Sequence, residues 1–429
     1  MEKNPNIDFT AASFASPPAK LAAAAAQGDE ALRRQGPRLE EIAAHNHRKM
    51  LRAFQAARIS SYHLHGSTGY GLDDAGRAAM DSVVAAVLGA ESALVRHQFV
   101  SGTHAIAAAL FGVLRPGDHA LSVTGSPYDT LLPVIGTRGE RGSLREWGVS
   151  FTAVPLTGQS QVDFPAVRAA ARPETRLFLL QRSAGYAGRR SLSMAAIAGF
   201  IAWAKENFPE IYVFVDNCYG ELVEKTEPGD AGADLMAGSL IKNLGGTLAP
   251  SGGYVAGRKK LVEMAADRFA APGIGMEVGA SLDARRLLLQ GLFFSPLTVA
   301  EAVKSMIFTA AFWAALGFTA RPAATEPRAD IIQAVELGSA ERLTAFCRGL
   351  QSGTPIDAHV RPEPAPMPGY ADEILMAGGV FIQGATSEFS ADGPLRPPYT
   401  AYMQGGVSIH YTREANLLAA RRMAAEGLL

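Results

Sequence analysis

The chain has 429 residues, 48% of them hydrophobic, and a formal net charge of −1 at pH 7. This length suits two domains with a sizeable core, and the balanced charge gives no electrostatic support for a nucleic-acid surface. The cysteines, Cys218 and Cys347, have no metal-ligand spacing and do not predict a disulfide. We therefore predict a cytoplasmic protein with no metal site, no nucleic-acid partner and no membrane segment.

The predicted elements alternate between strands and helices after an N-terminal segment. Residues 1–28 are rich in Ala, Pro and Ser and are predicted to be a loose arm, followed by a helix over 29–58. This alternation predicts an α/β domain with a mostly parallel sheet, whose strand ends gather functional groups at one edge. The predicted strands are 93–95, 120–123, 177–181, 211–215 and 253–256, and the predicted helices are 76–88, 103–113, 193–206 and 258–269.

The pattern changes in the C-terminal third. The most hydrophobic stretch, 287–318, contains charged residues and is split by Pro296, so we predict a pair of buried helices rather than a membrane span. The Pro-rich region beyond it predicts a smaller C-terminal α+β domain. The predicted division is an N-terminal arm and helix over 1–62, a large domain over 63–295 and a small domain over 296–429.

Two residues predict the chemistry of the large domain. Asp216 follows the apolar run 211–215, and Lys242 lies further on in the Ser/Gly-rich segment 237–246. A lysine in such a turn can form a Schiff base with pyridoxal 5′-phosphate (PLP), and a strand-end aspartate can keep the ring nitrogen protonated. The protonated ring withdraws electrons from the substrate α-carbon. This pair therefore predicts a PLP site.

Two turns are predicted to hold the cofactor phosphate. Ser101, Gly102 and Thr103 open a predicted helix, so they present backbone N–H groups and two hydroxyls at the positive end of a helix dipole. Ser239 stands three residues before Lys242 and can offer a further hydroxyl.

Four further residues are candidates for contacts with the ring or the substrate. Tyr128 follows a short predicted strand, so its ring can stack on the pyridine ring and its hydroxyl can donate a proton to the leaving group. Arg396 lies among prolines, where a stiffly held guanidinium can bind a substrate carboxylate through two hydrogen bonds. Arg182 and Ser183 follow a predicted strand, where either can contact the ring hydroxyl or the substrate. A structural ion pair is the alternative for Arg182.

The order and content of these segments resemble one family. It is the methionine γ-lyase-like family often labelled aluminium resistance proteins, within the cystathionine γ-synthase/γ-lyase class of fold-type I PLP enzymes. The resemblance runs from about residue 40 to the C-terminus, and the lysine and Arg-Pro-Pro segments are its most specific parts. The segments that carry it are 69–77, 93–96, 101–105, 126–130, 238–243, 252–257, 396–399 and 404–406.

The resemblance implies a PLP-dependent transferase-like fold and a homo-oligomer. In this class, a loop like the one that carries Tyr70 and Arg77 reaches the phosphate of the neighbouring subunit. That implies a dimer with shared active sites, within a homotetramer.

The resemblance also implies the reaction. It is γ-elimination from an L-α-amino acid with a sulfur- or oxygen-linked leaving group, which gives an α-keto acid and ammonia. A cystathionine-type β-lyase and a PLP-dependent aminotransferase stay open as alternatives. A PLP-binding regulator without turnover is an alternative from another class, although no basic DNA-binding segment accompanies it.

Overall fold

The structure, a computed structural model, describes residues 17–367 and 370–429 and divides the chain into two compact units. One unit comprises residues 44–296, and the other combines the described residues up to 43 with those from 297 onward. The N-terminal boundary differs from the division predicted from the sequence. It falls inside the first helix, so that helix does not form a separate N-terminal segment with the residues up to 62.

The unit of residues 44–296 is built on a seven-stranded sheet. The strands are β1 (Ser92–Arg96), β2 (His119–Ser122), β3 (Ser150–Ala153), β4 (Thr175–Gln181), β5 (Tyr212–Asp216), β6 (Leu235–Ser239) and β7 (Gly253–Gly257). Among the described residues, the first eight α-helices are α1 (Ala19–Ala56), α2 (Ala75–Val87), α3 (Gly102–Val113), α4 (Leu132–Ile135), α5 (Phe164–Ala170), α6 (Met194–Asn207), α7 (Lys259–Phe269) and α8 (Ala284–Ala315).

The sheet order is β1-β7-β6-β5-β4-β2-β3, and every pairing that does not involve β7 is parallel. The predicted α/β fold with a mostly parallel sheet is thus confirmed. Because β1 and β6 both pair antiparallel with β7, β1 runs in the same direction as β6. The C-terminal ends of β1, β4, β5 and β6 therefore lie along one edge, where open α/β sheets place their ligands.

The helix that follows β1 is held against the sheet by apolar side chains. Ile106 and Leu110 of α3 are buried in one core with Leu235 of β6, Val255 of β7 and Val262 of α7. Burying each of these side chains stabilises the folded state by about 1.5–3 kcal/mol, so a shift of the helix along the sheet would cost much of this free energy. The consequence is a fixed position for the N-terminus of α3, beside the end of β6.

The other unit contains a smaller, antiparallel sheet, which confirms the predicted α+β character of the C-terminal region. Its sheet order is β10-β11-β12-β9-β8. Its strands are β8 (Thr319–Arg321), β9 (Ile332–Glu336), β10 (Ile374–Ala377), β11 (Ser390–Pro394) and β12 (Thr400–Gln404), and its remaining helices are α9 (Ala340–Gln351) and α10 (Ile409–Ala425).

The N-terminal segment is not a loose arm over the part that the structure describes. Helix α1 begins at Ala19, and its Leu21 and Ala25 are buried in a core with Phe308 and Phe312 of α8. At Gly28 an added Cβ would come within 2.4 Å of the Phe308 ring, so the helix approaches that ring closely. Residues 1–16, the rest of the predicted arm, lie outside the described residues.

The hydrophobic stretch predicted as two helices is one continuous helix, α8, with Pro296 inside it. A proline removes the N–H that would bond the carbonyl of residue 292. The Ser295 hydroxyl donates to the Leu292 carbonyl at 2.7 Å instead, which satisfies that carbonyl and lets the helix continue. By length and hydropathy α8 matches a membrane span, but 67% of its apolar window is buried inside the protein, as is common for a core helix.

Candidate active site

Asp216 is the last residue of β5 and lies between two neighbouring strands, paired in register with Gln181 of β4 and Ala237 of β6. Its carboxylate accepts a hydrogen bond from the backbone N–H of Cys218 at 3.1 Å. Burial raises the pKa of Asp216, although the nearby Lys242 amine opposes the shift. A cationic group bound against this carboxylate would favour its ionised form.

Lys242 follows β6, and its side chain contacts the loop after β5. Its Nζ lies 3.7 Å from the ring centroid of Tyr219. Burial opposes the charge of the amine, but the acidic groups around it outweigh burial and raise the pKa of Lys242 well above its usual value. In order of their influence, these groups are Cys218, Tyr219, Tyr128 and Asp216.

Asn243 holds the lysine loop in place. Its buried side-chain amide donates to the carbonyl of Tyr219 at 3.0 Å and to the carbonyl of Glu221 at 2.8 Å. One side chain thus joins the loop that carries Lys242 to the loop that follows Asp216. The spacing between the amine and the carboxylate is therefore set by buried hydrogen bonds.

The start of α3 and the end of β6 form a small cradle. Ser101 caps the helix, because its hydroxyl accepts from the N–H of His104 at 3.1 Å, while the first N–H groups of any helix have no partner within it. An added Cβ at Gly102 would lie 3.1 Å from Cβ of Ser239 and 3.3 Å from Sγ of Cys218, so a larger residue would crowd the cradle. The hydroxyl of Ser239 is buried and has no hydrogen-bond partner.

These residues fit PLP. The unpartnered hydroxyl of Ser239 and the open helix start at Gly102 suit a phosphate, which accepts hydrogen bonds from both. The buried carboxylate of Asp216 suits a protonated ring nitrogen, and Lys242 supplies an amine within the same cluster. Within one chain, the structure thus brings together Lys242, Asp216, Ser239 and the start of α3.

Tyr128 lies beside the cradle. Its hydroxyl is 3.3 Å from that of Thr103, and its backbone N–H donates to the Gln181 side chain at 3.2 Å. Burial, followed by the charge of Asp216, raises the pKa of the Tyr128 phenol well above its usual value. The phenol therefore keeps its proton at neutral pH.

Arg182 takes part in a buried ion-pair network. Its guanidinium donates to Asn217 at 2.8 Å and pairs with Glu224 at 3.0 Å and Glu227 at 3.4 Å. Because the side chain is fully buried and turned toward these groups, the geometry favours the structural alternative over a substrate contact. The network ties the ends of β4 and β5 to the loop that follows Asp216.

Ser183, the residue after Arg182, is also buried. Its hydroxyl accepts from the N–H of Gly185 at 3.2 Å, and its carbonyl accepts from the side chains of Gln181 and Arg189. These contacts place Ser183 in a tight turn after β4, the strand whose last residue, Gln181, pairs with Asp216.

Tyr70 and Arg77 differ in their surroundings. The Tyr70 side chain is 78% exposed. Arg77 is buried, and its guanidinium donates to the carbonyls of Gly71, Gly279 and Glu277 at 2.6, 3.1 and 2.7 Å. Arg77 thus shapes the loop that presents Tyr70, while the tyrosine ring is open to a partner.

Arg396 belongs to the unit that contains the antiparallel sheet. It lies in the turn between β11 and β12, where its guanidinium pairs with Asp372 at 2.8 Å. The side chain is 43% exposed, so part of the guanidinium faces solvent. The pair holds the arginine in one direction but leaves donors for another acceptor.

Tyr219, Glu221 and Tyr254 also belong to this cluster and were not predicted from the sequence. Tyr219 lies under the Lys242 amine, and the buried Glu221 carboxylate accepts from the Tyr254 hydroxyl at 2.8 Å. Burial raises the pKa of Glu221 to about 8. The only sequence signal for the first two is their closeness to Asp216, and Tyr254 reads as an ordinary strand residue.

A mostly parallel sheet with a buried aspartate at the end of one strand and a lysine after the next suits a PLP enzyme of fold type I. Residues 21–424 match the family described as methionine gamma-lyase. The chain therefore belongs to the methionine γ-lyase family of PLP-dependent lyases, and PLP is its cofactor.

Similar proteins cover nearly the whole chain. The uncharacterized protein YnbB of Bacillus subtilis is 49% identical over 379 residues, 88% of this chain and 90% of YnbB. A structure from Listeria monocytogenes, of a candidate cystathionine β-lyase involved in aluminum resistance, has a TM-score of 0.91 and 45% identity, covering 94% of this chain and 99% of the other. A carbon–sulfur lyase involved in aluminum resistance from Clostridium novyi has a TM-score of 0.91 and 41% identity, covering 95% and 96%.

Replacing Ser239 with alanine is expected to weaken PLP binding about 10- to 100-fold, because a hydrogen bond to a charged group contributes about 1.5–3 kcal/mol. The measurement is the dissociation constant of PLP, from absorbance during titration of the cofactor-free chain. Ser143→Ala, which removes another buried serine hydroxyl outside this cluster, is the control and should bind PLP normally. Equal PLP affinity in Ser239→Ala and the unaltered chain would remove Ser239 from the phosphate site.

Proposed function

We propose that the protein is a PLP-dependent lyase that eliminates a sulfur- or oxygen-linked group from Cγ of an L-α-amino acid. The products are the protonated leaving group, 2-oxobutanoate and ammonia, after one water is consumed. The observation that carries the proposal is the clustering of Lys242, Asp216 and Tyr128 in a chain whose residues 21–424 match the methionine gamma-lyase family.

Each residue of the cluster has a defined task in this reaction. When bound, PLP withdraws electrons from the substrate α-carbon, and Asp216 would hold its ring nitrogen protonated. Lys242 holds the cofactor through its amine, gives way to the substrate amine, and then removes the α-proton and later a β-proton. Tyr128, protonated at neutral pH, donates a proton to the departing group.

Arg396 is proposed to bind the substrate α-carboxylate, because its turn and its pair with Asp372 hold a guanidinium with donors to spare. Arg396→Lys keeps the charge but loses the forked geometry, so KM is expected to rise about 10- to 100-fold while PLP stays bound. Steady-state kinetics and the cofactor absorbance measure the two effects. Arg361→Lys, an exposed arginine of the same unit, is the control. An unchanged KM would leave Arg396 as a loop residue paired with Asp372.

A cystathionine β-lyase is the second candidate, because the similar Listeria structure is described with that activity. L-cystathionine separates the two reactions in one assay. Cleavage at Cγ gives cysteine, 2-oxobutanoate and ammonia, whereas cleavage at Cβ gives homocysteine, pyruvate and ammonia. We expect 2-oxobutanoate, and pyruvate instead would establish the β-lyase.

The same assay extends to the leaving group. L-methionine, an O-acyl-L-homoserine and L-canavanine each carry a different γ substituent, and the best substrate is the one with the highest kcat/KM. Amino-group transfer that needs an added keto acid and releases no ammonia would identify an aminotransferase. Substrate-dependent changes in cofactor absorbance without any product would identify a regulator.

We also infer a homo-oligomer in which Tyr70 reaches the site of a neighbouring chain, as a dimer within a tetramer. The support is the resemblance of the loop that carries Tyr70 to a segment that crosses between subunits in this class, together with exposed apolar side chains in and near that loop. They include Tyr62, Tyr70, Leu72 and Val100, which are 62–81% exposed. Both cysteines are free and buried, which is in keeping with the proposed cytoplasmic location.

A further inference from the structure

Tyr219 lies directly against the amine of Lys242. The Nζ atom is 3.7 Å from the ring centroid, well inside the range of about 6 Å over which a cation is attracted to an aromatic face. Tyr219 has a φ of 69°, a left-handed backbone conformation that costs a non-glycine residue free energy. A side chain held in that way needs support from its surroundings.

The support comes from the lysine loop itself. Asn243, the residue after Lys242, donates to the carbonyl of Tyr219 at 3.0 Å. The same amide group donates to the carbonyl of Glu221 at 2.8 Å, so the backbone is fixed on both sides of Gly220. The buried Asn243 amide therefore holds the Tyr219 ring next to the Lys242 amine, so their contact is fixed by hydrogen bonds of the loop.

The remaining groups around the amine are acidic or phenolic. Asp216, Cys218 and Tyr128 influence the amine from the ends of other elements, and Glu221 lies behind the loop. In the proposed reaction Asp216 is committed to the cofactor ring, and Tyr128 to the leaving group. Neither task involves Tyr219, whose ring face the amine contacts.

We propose that the face of the Tyr219 ring binds the Lys242 ammonium group whenever the lysine is not bonded to the cofactor. The inference rests on the proposed function, in which Lys242 is displaced by the substrate amine and then carries the α-proton. An aromatic face attracts an ammonium group although the ring carries no formal negative charge. It therefore stabilises the protonated amine without accepting its proton, and the proton stays available for transfer. The ring also keeps the displaced amine near the place to which it must return.

Two substitutions separate the ring from its hydroxyl. Tyr219→Phe keeps the aromatic face, and Tyr219→Leu removes it while leaving an apolar side chain on the same strained backbone. Tyr212→Leu is the matched control, because Tyr212 also faces a cation, Arg258 at 5.8 Å, but lies at the far end of β5. Circular dichroism verifies that each full-length chain is folded.

The readout is the protonation of Lys242 in the full-length chain freed of PLP, followed by NMR of ¹³Cε-labelled lysine from pH 7 up to the highest pH at which circular dichroism shows a folded chain, with the signal assigned from Lys242→Arg. We expect the pKa of Lys242 to fall by about 0.4–1.5 pH units in Tyr219→Leu, since a cation–π contact contributes about 0.5–2 kcal/mol. It should change little in Tyr219→Phe or Tyr212→Leu.

Other results would overturn the inference. An unchanged Lys242 titration in Tyr219→Leu would show that the ring does not hold the ammonium, and an equal fall in Tyr219→Phe would assign the effect to the hydroxyl. If Tyr219→Leu does not fold, fluorinated phenylalanines at position 219 keep the shape but draw electrons from the ring face, so the pKa should fall with each added fluorine. This readout needs no turnover, so failure of the proposed lyase activity would be seen separately.

Discussion

Lys242→Ala is expected to lower the turnover number at least about 10⁴-fold, because one substitution removes both the covalent anchor of the cofactor and the proton carrier. Release of 2-oxobutanoate from the best substrate gives the loss. Borohydride reduction of the unaltered enzyme should fix pyridoxyl mass on the peptide that contains Lys242, which shows the anchor independently.

Two variants control this experiment. Lys260→Ala removes an exposed lysine at the start of α7 and should keep full turnover. Lys242→Arg keeps a positive charge over Tyr219 but lacks a nucleophilic amine, so it should be nearly as inactive as Lys242→Ala. Pyridoxyl mass on another lysine, or appreciable turnover in Lys242→Ala, would refute the assignment.

Asp216→Asn is expected to lower kcat about 10²- to 10³-fold, the scale of losing one electrostatic contact that strengthens in the transition state. The amide keeps the shape of the side chain, so PLP should still bind, with a changed absorbance spectrum. The expected pattern is thus a large fall in kcat with a small change in PLP affinity.

Asp234→Asn is the matched control for that loss. Asp234 is a buried aspartate just before β6, where it accepts from the N–H of Val213 and pairs with Arg258. Its replacement should lower the melting temperature and leave the turnover of the folded fraction intact. If Asp216→Asn behaves in the same way, Asp216 has a structural role and another group must hold the ring nitrogen.

The strands with strong apolar patterns could be predicted from the sequence, and β6 could not. The Val- and Phe-rich run of β5 and the strand that became β4 were predicted within two residues of their observed ends. β6 reads Leu-Met-Ala-Gly-Ser, with no β-branched or aromatic residue, so its propensity is weak. Pairing with β5 and β7 makes it a strand, and such pairing is a tertiary property.

The same distinction applies to the helices. Pro296 predicts a break in α8, yet the Ser295 hydroxyl takes over the bond that the proline cannot make. The Ala-rich start of α1 reads as a loose arm because alanine gives little hydrophobic pattern, and its helix is stabilised by packing against Phe308. Sequence patterns carry local propensity, but these outcomes depend on distant partners.

At the site, the residues that carry known chemistry are visible in the sequence, and the residues that position them are not. Lys242, Asp216 and Ser239 stand in recognisable turns. Tyr219 and Asn243 matter through a left-handed backbone and two buried hydrogen bonds, neither of which has a sequence signature. Arg182 shows the reverse case, since this strand-end arginine, predicted as a substrate contact, is instead paired with the carboxylates of Glu224 and Glu227.

The buried carboxyl of Glu221 gives the fold an unusual dependence on acidity. Its pKa is about 8 in the folded chain because burial disfavours the charge, against 4.5 for an ordinary glutamate. The folded chain therefore holds a proton that the unfolded chain has released between these two pH values. Its contribution to the free energy of unfolding falls as pH rises from about 4.5 to about 8, by roughly 5 kcal/mol in all. Mildly acidic buffers thus favour this part of the fold during purification and storage, whereas most buried carboxylates that are paired with cations favour the opposite choice.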